Sequence, residues 1–473
     1  MTKMLVRASK RLFFGLAFVS TALGSSVALA ATLEVGPGKP YAKPCEAIAA
    51  SSDNDVIEID ASGSYAGDVC AWSKNGLVLR GVGAGRAKID AAGQNSQGKA
   101  IWVIAGSDTT LENIELSGAT APDQNGAGIR QEGKNLTVRN CFFHDNEDGI
   151  LAGNNAESTI LIEHSEFANN GFGDGQSHNL YINHVGKLIF QFNYSHHAKI
   201  GHLLKSRATE NHVLYNRLTG EDGTDSYEID LPNGGLSFVI GNLIQQGPNT
   251  DNSSIISYRR EGADPANPSN ALFIVNNTFV NERPNGGTFL NIDPGVAEAV
   301  VVSNNIFVGP GTISTQANSS MNANFQGDPG FVDQAAFDYH LKPGSAAVDM
   351  GMPPGTGGGI DLTPKYHYVH PASSTGRMSV GTIDIGAYEL GGDSGSGGAG
   401  GSGSGGGSAS GGGSGGASAG EGGGGGGAAG EDGSCGCRVV GAVETRPSFA
   451  VLALVGLIGL RRSRRQARPL HER

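Results

Sequence analysis

Between His178 and Arg259 this chain crowds together side chains that can do chemistry. His178-Asn179-Leu180-Tyr181-Ile182-Asn183-His184 is followed by His202-Leu203-Leu204-Lys205-Ser206-Arg207, then by Tyr227-Glu228-Ile229-Asp230-Leu231 and Ile256-Ser257-Tyr258-Arg259-Arg260. Cations beside carboxylates, interleaved with imidazoles and phenols, suit proton abstraction next to a carboxylate. On a uronate polymer a cation would neutralise the sugar carboxylate, a base take the ring proton so acidified, and an acid protonate the leaving oxygen. Clustered ionisable groups on a rigid face mark a candidate site, although opposite charges on neighbouring strands also arise on an ordinary solvated sheet.

The elements that carry these residues are short strands. Alternation sets Lys205 and Arg207 opposite Leu204 and Ser206, and Glu228 and Asp230 opposite Ile229. Stacked coils would then bring Lys205, Arg207, Glu228, Asp230 and Arg259 onto one outer face. The stacking is implied by a repeat: an aliphatic residue, two variable positions, a small polar residue, one variable position and a large apolar residue. It reads Val138-Arg139-Asn140-Cys141-Phe142-Phe143, Ile162-Glu163-His164-Ser165-Glu166-Phe167, Val213-Leu214-Tyr215-Asn216-Arg217-Leu218 and Val302-Ser303-Asn304-Asn305-Ile306-Phe307. Its fourth position recurs every 23 to 35 residues or so, the mark of a solenoid. One such unit is too poor in apolar residues to form a core, so the copies must stack. Ser195 breaks the pattern where a large apolar residue is expected after Asn193.

This pattern resembles the right-handed parallel β-helix of pectate-lyase-like proteins over residues 33 to 310. The resemblance implies an all-β solenoid whose recurring Asn residues form a hydrogen-bonded ladder at one turn. Such enzymes use Lys or Arg as base and often Ca²⁺; on that chemistry, and not by a matched motif, Lys205 is the candidate base, Arg207 and Arg259 are carboxylate or leaving-group partners, His184, His202 and Tyr181 are substitutes for base or acid, and Asp222, Glu228 and Asp230 hold a Ca²⁺ ion. Tyr181, Asn183, Tyr258 and His178 are the expected sugar-binding residues. Lys and Arg on successive coils, the arrangement known in such lyases, are not found, since Lys205 and Arg207 share one strand. A non-catalytic carbohydrate-binding or adhesive protein is the main alternative. A glycoside hydrolase using Asp145, Glu147 and Asp148 is a further one, but it lacks the Gly-His-Gly phrase of polygalacturonase-like enzymes. His196-His197 with His202 is read as bland, because adjacent strand residues face opposite ways.

The ends frame this body. Lys3, Arg7, Lys10 and Arg11, the apolar run from Leu12 to Val19 and Ala28-Leu29-Ala30 read as a signal peptide over residues 1–30. The β-helix is expected over 31–310, with Pro44 to Ala50 as a short capping helix. A closing module follows over 311–390; its phrases Asp328-Pro329-Gly330-Phe331, Leu341 to Asp349 and Asp384-Ile385-Gly386-Ala387-Tyr388-Glu389 are similar to a small domain that closes surface-anchored bacterial β-helices. Asp349, Asp384 and Glu389 are accordingly read as structural. Residues 391–434 form a Gly/Ser-rich linker, and 435–473, with Cys435-Gly436-Cys437, an apolar stretch and Arg461, Arg462, Arg464 and Arg465, resemble a myxobacterial sorting tail. These ends imply export and display at the cell surface or outer envelope, with membrane contact through the tail before processing.

Setting aside the +4 of residues 1–30 and the +6 of the tail from Arg438, the formal charge of −12 becomes −22 on the body. Such acidity argues against nucleic acid as partner and leaves an extracellular polysaccharide, bound by a monomer, as the expectation. Of the five cysteines, Cys45 and Cys70 are the expected disulfide, and Cys141 an inert core thiol.

Overall fold

A computed structural model describes residues 30–392; the expected signal peptide, most of the linker and the sorting tail lie outside the described residues. Each coil contains three strands, and the strands stack into three parallel sheets of twelve, ten and ten. The first sheet runs from Thr32–Val35 to Ser320–Asn322, the second from Ala87–Asp90 to Phe325–Gln326, and the third from Cys70–Trp72 to Thr312–Ser314. The six-residue repeat spans the corner between the first sheet and the second. Its apolar positions fill the interior, as in Val138, Phe143, Ile162 and Phe167, all fully buried. Successive Phe rings stack, Phe143 on Phe167 and Phe279 on Phe307, each at 5.0 Å between centroids.

The fourth repeat position is a ladder. Each backbone N–H donates to the side chain one coil further on: Cys141 to Ser165 Oγ, Ser165 to Asn193 Oδ1, Asn193 to Asn216, Asn216 to Asn242, Asn242 to Asn277 and Asn277 to Asn305. The residue just before it turns the corner with positive φ, whatever its type: Asn140 (51°), His164 (52°), Phe192 (59°), Tyr215 (55°) and Asn276 (52°). Burial pushes the Cys141 thiol up to about 12, so it stays protonated within this column.

At the amino-terminal end Pro44–Ala50 is helical and packs Ala47 and Ile48 onto the first coils. Cys45 is bonded to Cys70. At the other end, residues 328–392 run back along the flank of the stack. Phe331, Tyr339, Leu341, Tyr368 and Tyr388 join Tyr194, Leu243, Val280, Ile306 and Val308 of the second sheet in one cluster. Among the described residues no helix is long and apolar enough to cross a membrane.

Candidate functional site

The third sheet fixes which residues share a row. Register aligns Leu151, Tyr181, Lys205, Asp230, Ser257 and Asn291 in one outward row. The row beside it, Ile182, Ser206, Leu231, Tyr258 and Ile292, points inward and is buried. One position further, Asn183, Arg207, Arg259 and Asp293 leave the strands, their N–H groups held by carbonyls of the preceding coil.

These rows bring together Tyr181, Lys205, Arg207, Asp230 and His202. Lys205 Nζ lies 3.5 Å from Asp230 Oδ2, and His202 Nε2 is also 3.5 Å from that oxygen. Arg207 Nε donates to the Tyr181 hydroxyl at 2.9 Å. The Tyr181 ring sits beneath both cations, 5.3 Å from Lys205 Nζ and 5.8 Å from the Arg207 guanidinium carbon. The Lys205 and Arg207 side chains are only 12% and 14% exposed, so their charges are largely withdrawn from water.

The imidazoles form a buried column at the edge of this patch. His178 and His202 stack at 4.4 Å, and Tyr227 continues the column at 4.9 Å from His202. The His202 N–H donates to His178 Nδ1 and the Tyr227 N–H to His202 Nδ1, which leaves the ring proton of each imidazole on Nε2. Burial, reinforced by Lys205, pulls His202 down to about 3; burial likewise holds His178 well below the usual imidazole range. Both rings are neutral. Burial raises Asp230 to about 6 despite the opposing pull of Lys205, which sets a carboxyl that titrates near neutrality between a neutral imidazole and an amine.

Other expected residues fall elsewhere. Tyr258 is fully buried and donates its hydroxyl to the Gly235 carbonyl, so it presents no sugar-stacking surface. His178 is 1% exposed and underpins His202 instead of facing a ligand. Arg259 sits two coils from Arg207 and is engaged by Asp293 at 2.9 Å. His184 lies at the margin, 3.4 Å from Asp264, with Asn183 beside it.

The three residues expected to hold Ca²⁺ do not converge. Asp222 projects from an exposed turn and accepts from His197 at 2.9 Å, Glu228 is inside the coil, and only Asp230 faces the patch. Among the described residues no group of three or more His, Cys, Asp or Glu side chains is arranged to hold a metal ion. The carboxylates of the hydrolase reading serve turns: Glu147 accepts from Ala121 N and Gly126 N, and Asp148, fully buried, from His178 N.

Two contributors escaped the sequence reading. Glu261 binds Arg207 Nη2 at 2.6 Å and Lys205 Nζ at 3.4 Å across 54 and 56 residues of chain. Asn179 carries a second ladder, accepting from Asn170, which accepts from Asn146. The small Ser195 makes room for it: its Oγ accepts from Asn179 Nδ2 and donates to the Leu203 carbonyl. The lapse in the repeat therefore supports the turn that presents His178 and His202.

Comparison with known proteins settles the architecture. Residues 75–220 match the family described as right handed beta helix region. Among solved structures the chain is similar to the crystal structure of pectate lyase Pel9A, at 14% identity and a TM-score of 0.53, covering 76% of this chain and 97% of that one. The fold is an all-β right-handed parallel β-helix. Two weaker likenesses are the PL6 family alginate lyase AlyGC, at 17% identity and TM-score 0.28 over 63% of this chain and 40% of that one, and Geobacillus virus E2 ORF18, at 13% and 0.34 over 59% and 56%. No curated protein matches the chain.

Proposed function

We propose that the outward face of the third sheet binds an acidic polysaccharide outside the cell and cleaves it by β-elimination. The observation that carries this reading is the pair of largely desolvated cations, Lys205 and Arg207, over the half-buried Tyr181 ring. A sugar ring resting on this patch would bring its carboxylate to Arg207. After passing its own proton to Asp230, 3.5 Å away, Lys205 Nζ would take the proton alpha to that carboxylate; the electron pair of the C–H bond becomes the new double bond as the glycosidic C–O bond breaks. The Tyr181 hydroxyl, which accepts from Arg207 Nε, would protonate the departing oxygen. His202 would position Asp230, and Asp230 in turn Lys205. That one solved structure similar in fold is a pectate lyase agrees with this choice.

The test is to incubate the protein with a panel of polyuronates, with and without Ca²⁺, and follow unsaturated sugar ends by ultraviolet absorbance. Lys205→Met should lower turnover about 10²- to 10⁴-fold, the contribution of a positioned base, with binding weakened far less because Arg207 still holds the carboxylate. Cleavage untouched by that substitution would reject Lys205 as base. A binding protein without catalysis is the second reading, favoured by one feature: Lys205, Arg207 and Arg259 all have internal carboxylate partners. It predicts retention on polyuronate with no unsaturated product.

A further inference from the structure

The connections after strands of the third sheet are short on the three preceding coils: residues 183–184, 207–209 and 232–235. After Ser254–Tyr258 the chain instead takes residues 259–271 before the next strand, Leu272–Val275. A connection longer than the coil requires calls for an explanation. It begins by reversing direction, with Arg259 at φ 57° and Gly262 at φ 99°, and then descends across the outward face. The Glu261 N–H donates to the Pro232 carbonyl one coil below, Thr209 Oγ1 donates to the Ala266 carbonyl two coils below, and Asp264 meets His184 three coils below. Asn233 and the buried Asn267 fasten it midway, each amide donating to a carbonyl of the other segment, Gly262 and Asn233.

This strap delivers Glu261 to the cations of the site. One carboxylate oxygen meets Arg207 Nη2 at 2.6 Å and the other meets Lys205 Nζ at 3.4 Å. A carboxylate with one oxygen on each of two cations is the arrangement an acidic sugar would need there. The two partners differ in burial: the Glu261 side chain is 48% exposed, whereas the cations are 12% and 14% exposed. The cations are fixed and the carboxylate is the exchangeable member.

We propose that Lys205 and Arg207 form a subsite for one carboxylate of an acidic sugar, and that the strap 259–271 keeps it closed by supplying Glu261 as an internal stand-in. The proposal rests on the reading of this face as a polyuronate site and adds how it is gated. Binding then exchanges one carboxylate for another, and displacing Glu261 loosens the strap from the site.

The test reads occupancy of the subsite, not turnover. The full-length protein is treated briefly with an amine-reactive acylating reagent, and acylation of Lys205 is followed by mass spectrometry, with melting temperature as the check on folding. In Glu261→Gln, acylation of Lys205 should be faster by on the order of tenfold, the factor expected from losing a charge-assisted hydrogen bond. Millimolar glucuronate should slow it again and glucose should not. Asp264→Asn, which frees the strap at its far end, should speed acylation by a smaller factor and serves if Glu261→Gln folds poorly. Wild-type labelling rates in both variants would overturn the strap. Faster labelling with equal effects of glucuronate and glucose would overturn the carboxylate subsite. A lack of unsaturated product from every polyuronate would reject the lyase reading alone, because these labelling outcomes do not depend on it.

Discussion

Glu228 and Asp230 stand two positions apart, and alternation would put them on the same face, yet one is inside the coil and the other outside. Alternation holds only within a strand, and here the strand begins at Ile229; the residues aligned with Glu228 on adjacent coils, Leu203 and Ile255, also point inward. Glu228 shares the interior with Asp225, and their carboxyl oxygens have no hydrogen-bond partner among the described residues. Burial without such partners favours the protonated carboxyls over the ionised ones. Burial raises Asp225 to about 7 and Glu228 well above the usual range, the latter pushed further by Asp225. In the unfolded chain both ionise near pH 4. The unfolded state therefore releases protons first as pH rises, so the pair's contribution to stability is full below about pH 4 and declines towards and through about pH 7. Glu228→Gln removes one ionisable group and offers an N–H to Asp225. It should raise the melting temperature by about 2–4 °C at pH 8 and leave it unchanged at pH 4; equal shifts at both would mean that the pair is not what titrates. The same limit on alternation explains what was legible at the site. Tyr181, Lys205, Arg207 and Asp230 could be placed from local pattern, whereas Glu261 reaches them only through a loop that crosses two coils.

At the scale of elements, the ladder at the first corner was readable because one hydrogen-bonding demand recurs at nearly regular intervals. Each buried Asn accepts from the preceding coil and donates Nδ2 to a backbone carbonyl of that same coil and to the next Asn; Asn242, for example, accepts from Asn216 and donates to Val213 O and to Asn277 Oδ1. Asn242→Ala would strand the Asn216 N–H, the Val213 carbonyl and one rung of the ladder in a water-free column. A loss of about 2–4 kcal/mol is expected in denaturant unfolding, from one to two unsatisfied buried groups. Asn324→Ala, at the last rung, should cost less than half of that: Asn324 accepts from Asn305 and donates to the Val302 carbonyl, but it has no further rung to hold and is half-buried, so water can replace what is lost. Equal losses at the two positions would show that the ladder does not act as a column. The second ladder was illegible because its spacing is broken: Asn146 and Asn170 are 24 residues apart, but Asn170 and Asn179 only 9. Ser195 appeared in sequence as a defect for a related reason, since the group that fills the space it leaves comes from another turn.

For the whole molecule, the decisive relation is between the coils and the module that runs along their flank. Phe192 and Tyr215 occupy left-handed corner positions that bulky residues avoid. Both are covered by that module: Tyr366 packs edge-on to each ring at 5.2 and 5.5 Å, and Lys365 N donates to the Tyr215 hydroxyl at 2.9 Å. The module is in turn held by Arg377, whose side chain is 1% exposed. Its guanidinium donates to the carbonyls of Asp384, Gly386 and Ala387 and pairs with Glu389 at 2.9 Å. This accounts for the phrase Asp384 to Glu389: the Asp384 carboxylate accepts from Asp349 N and Leu390 N, and Gly386, at φ 100°, lies where a Cβ would strike Ile306. Replacing Arg377 with Met would leave the buried Glu389 carboxylate without its cation, although Val380 N and Asp384 N still donate to it, and the Ala387 carbonyl without its donor, at a cost of about 3–5 kcal/mol. The coils retain their own ladders and core, so the loss should fall on the module. Limited proteolysis of Arg377→Met should cut first within residues 328–392, and the uncovered Phe192, Tyr194, Tyr215 and Val280 should bind a hydrophobic dye while the β-sheet circular dichroism persists. If instead the whole chain unfolds in one transition with an unchanged cleavage pattern, the module and the solenoid form one cooperative unit, and the flank is as integral to the coils as their own interior.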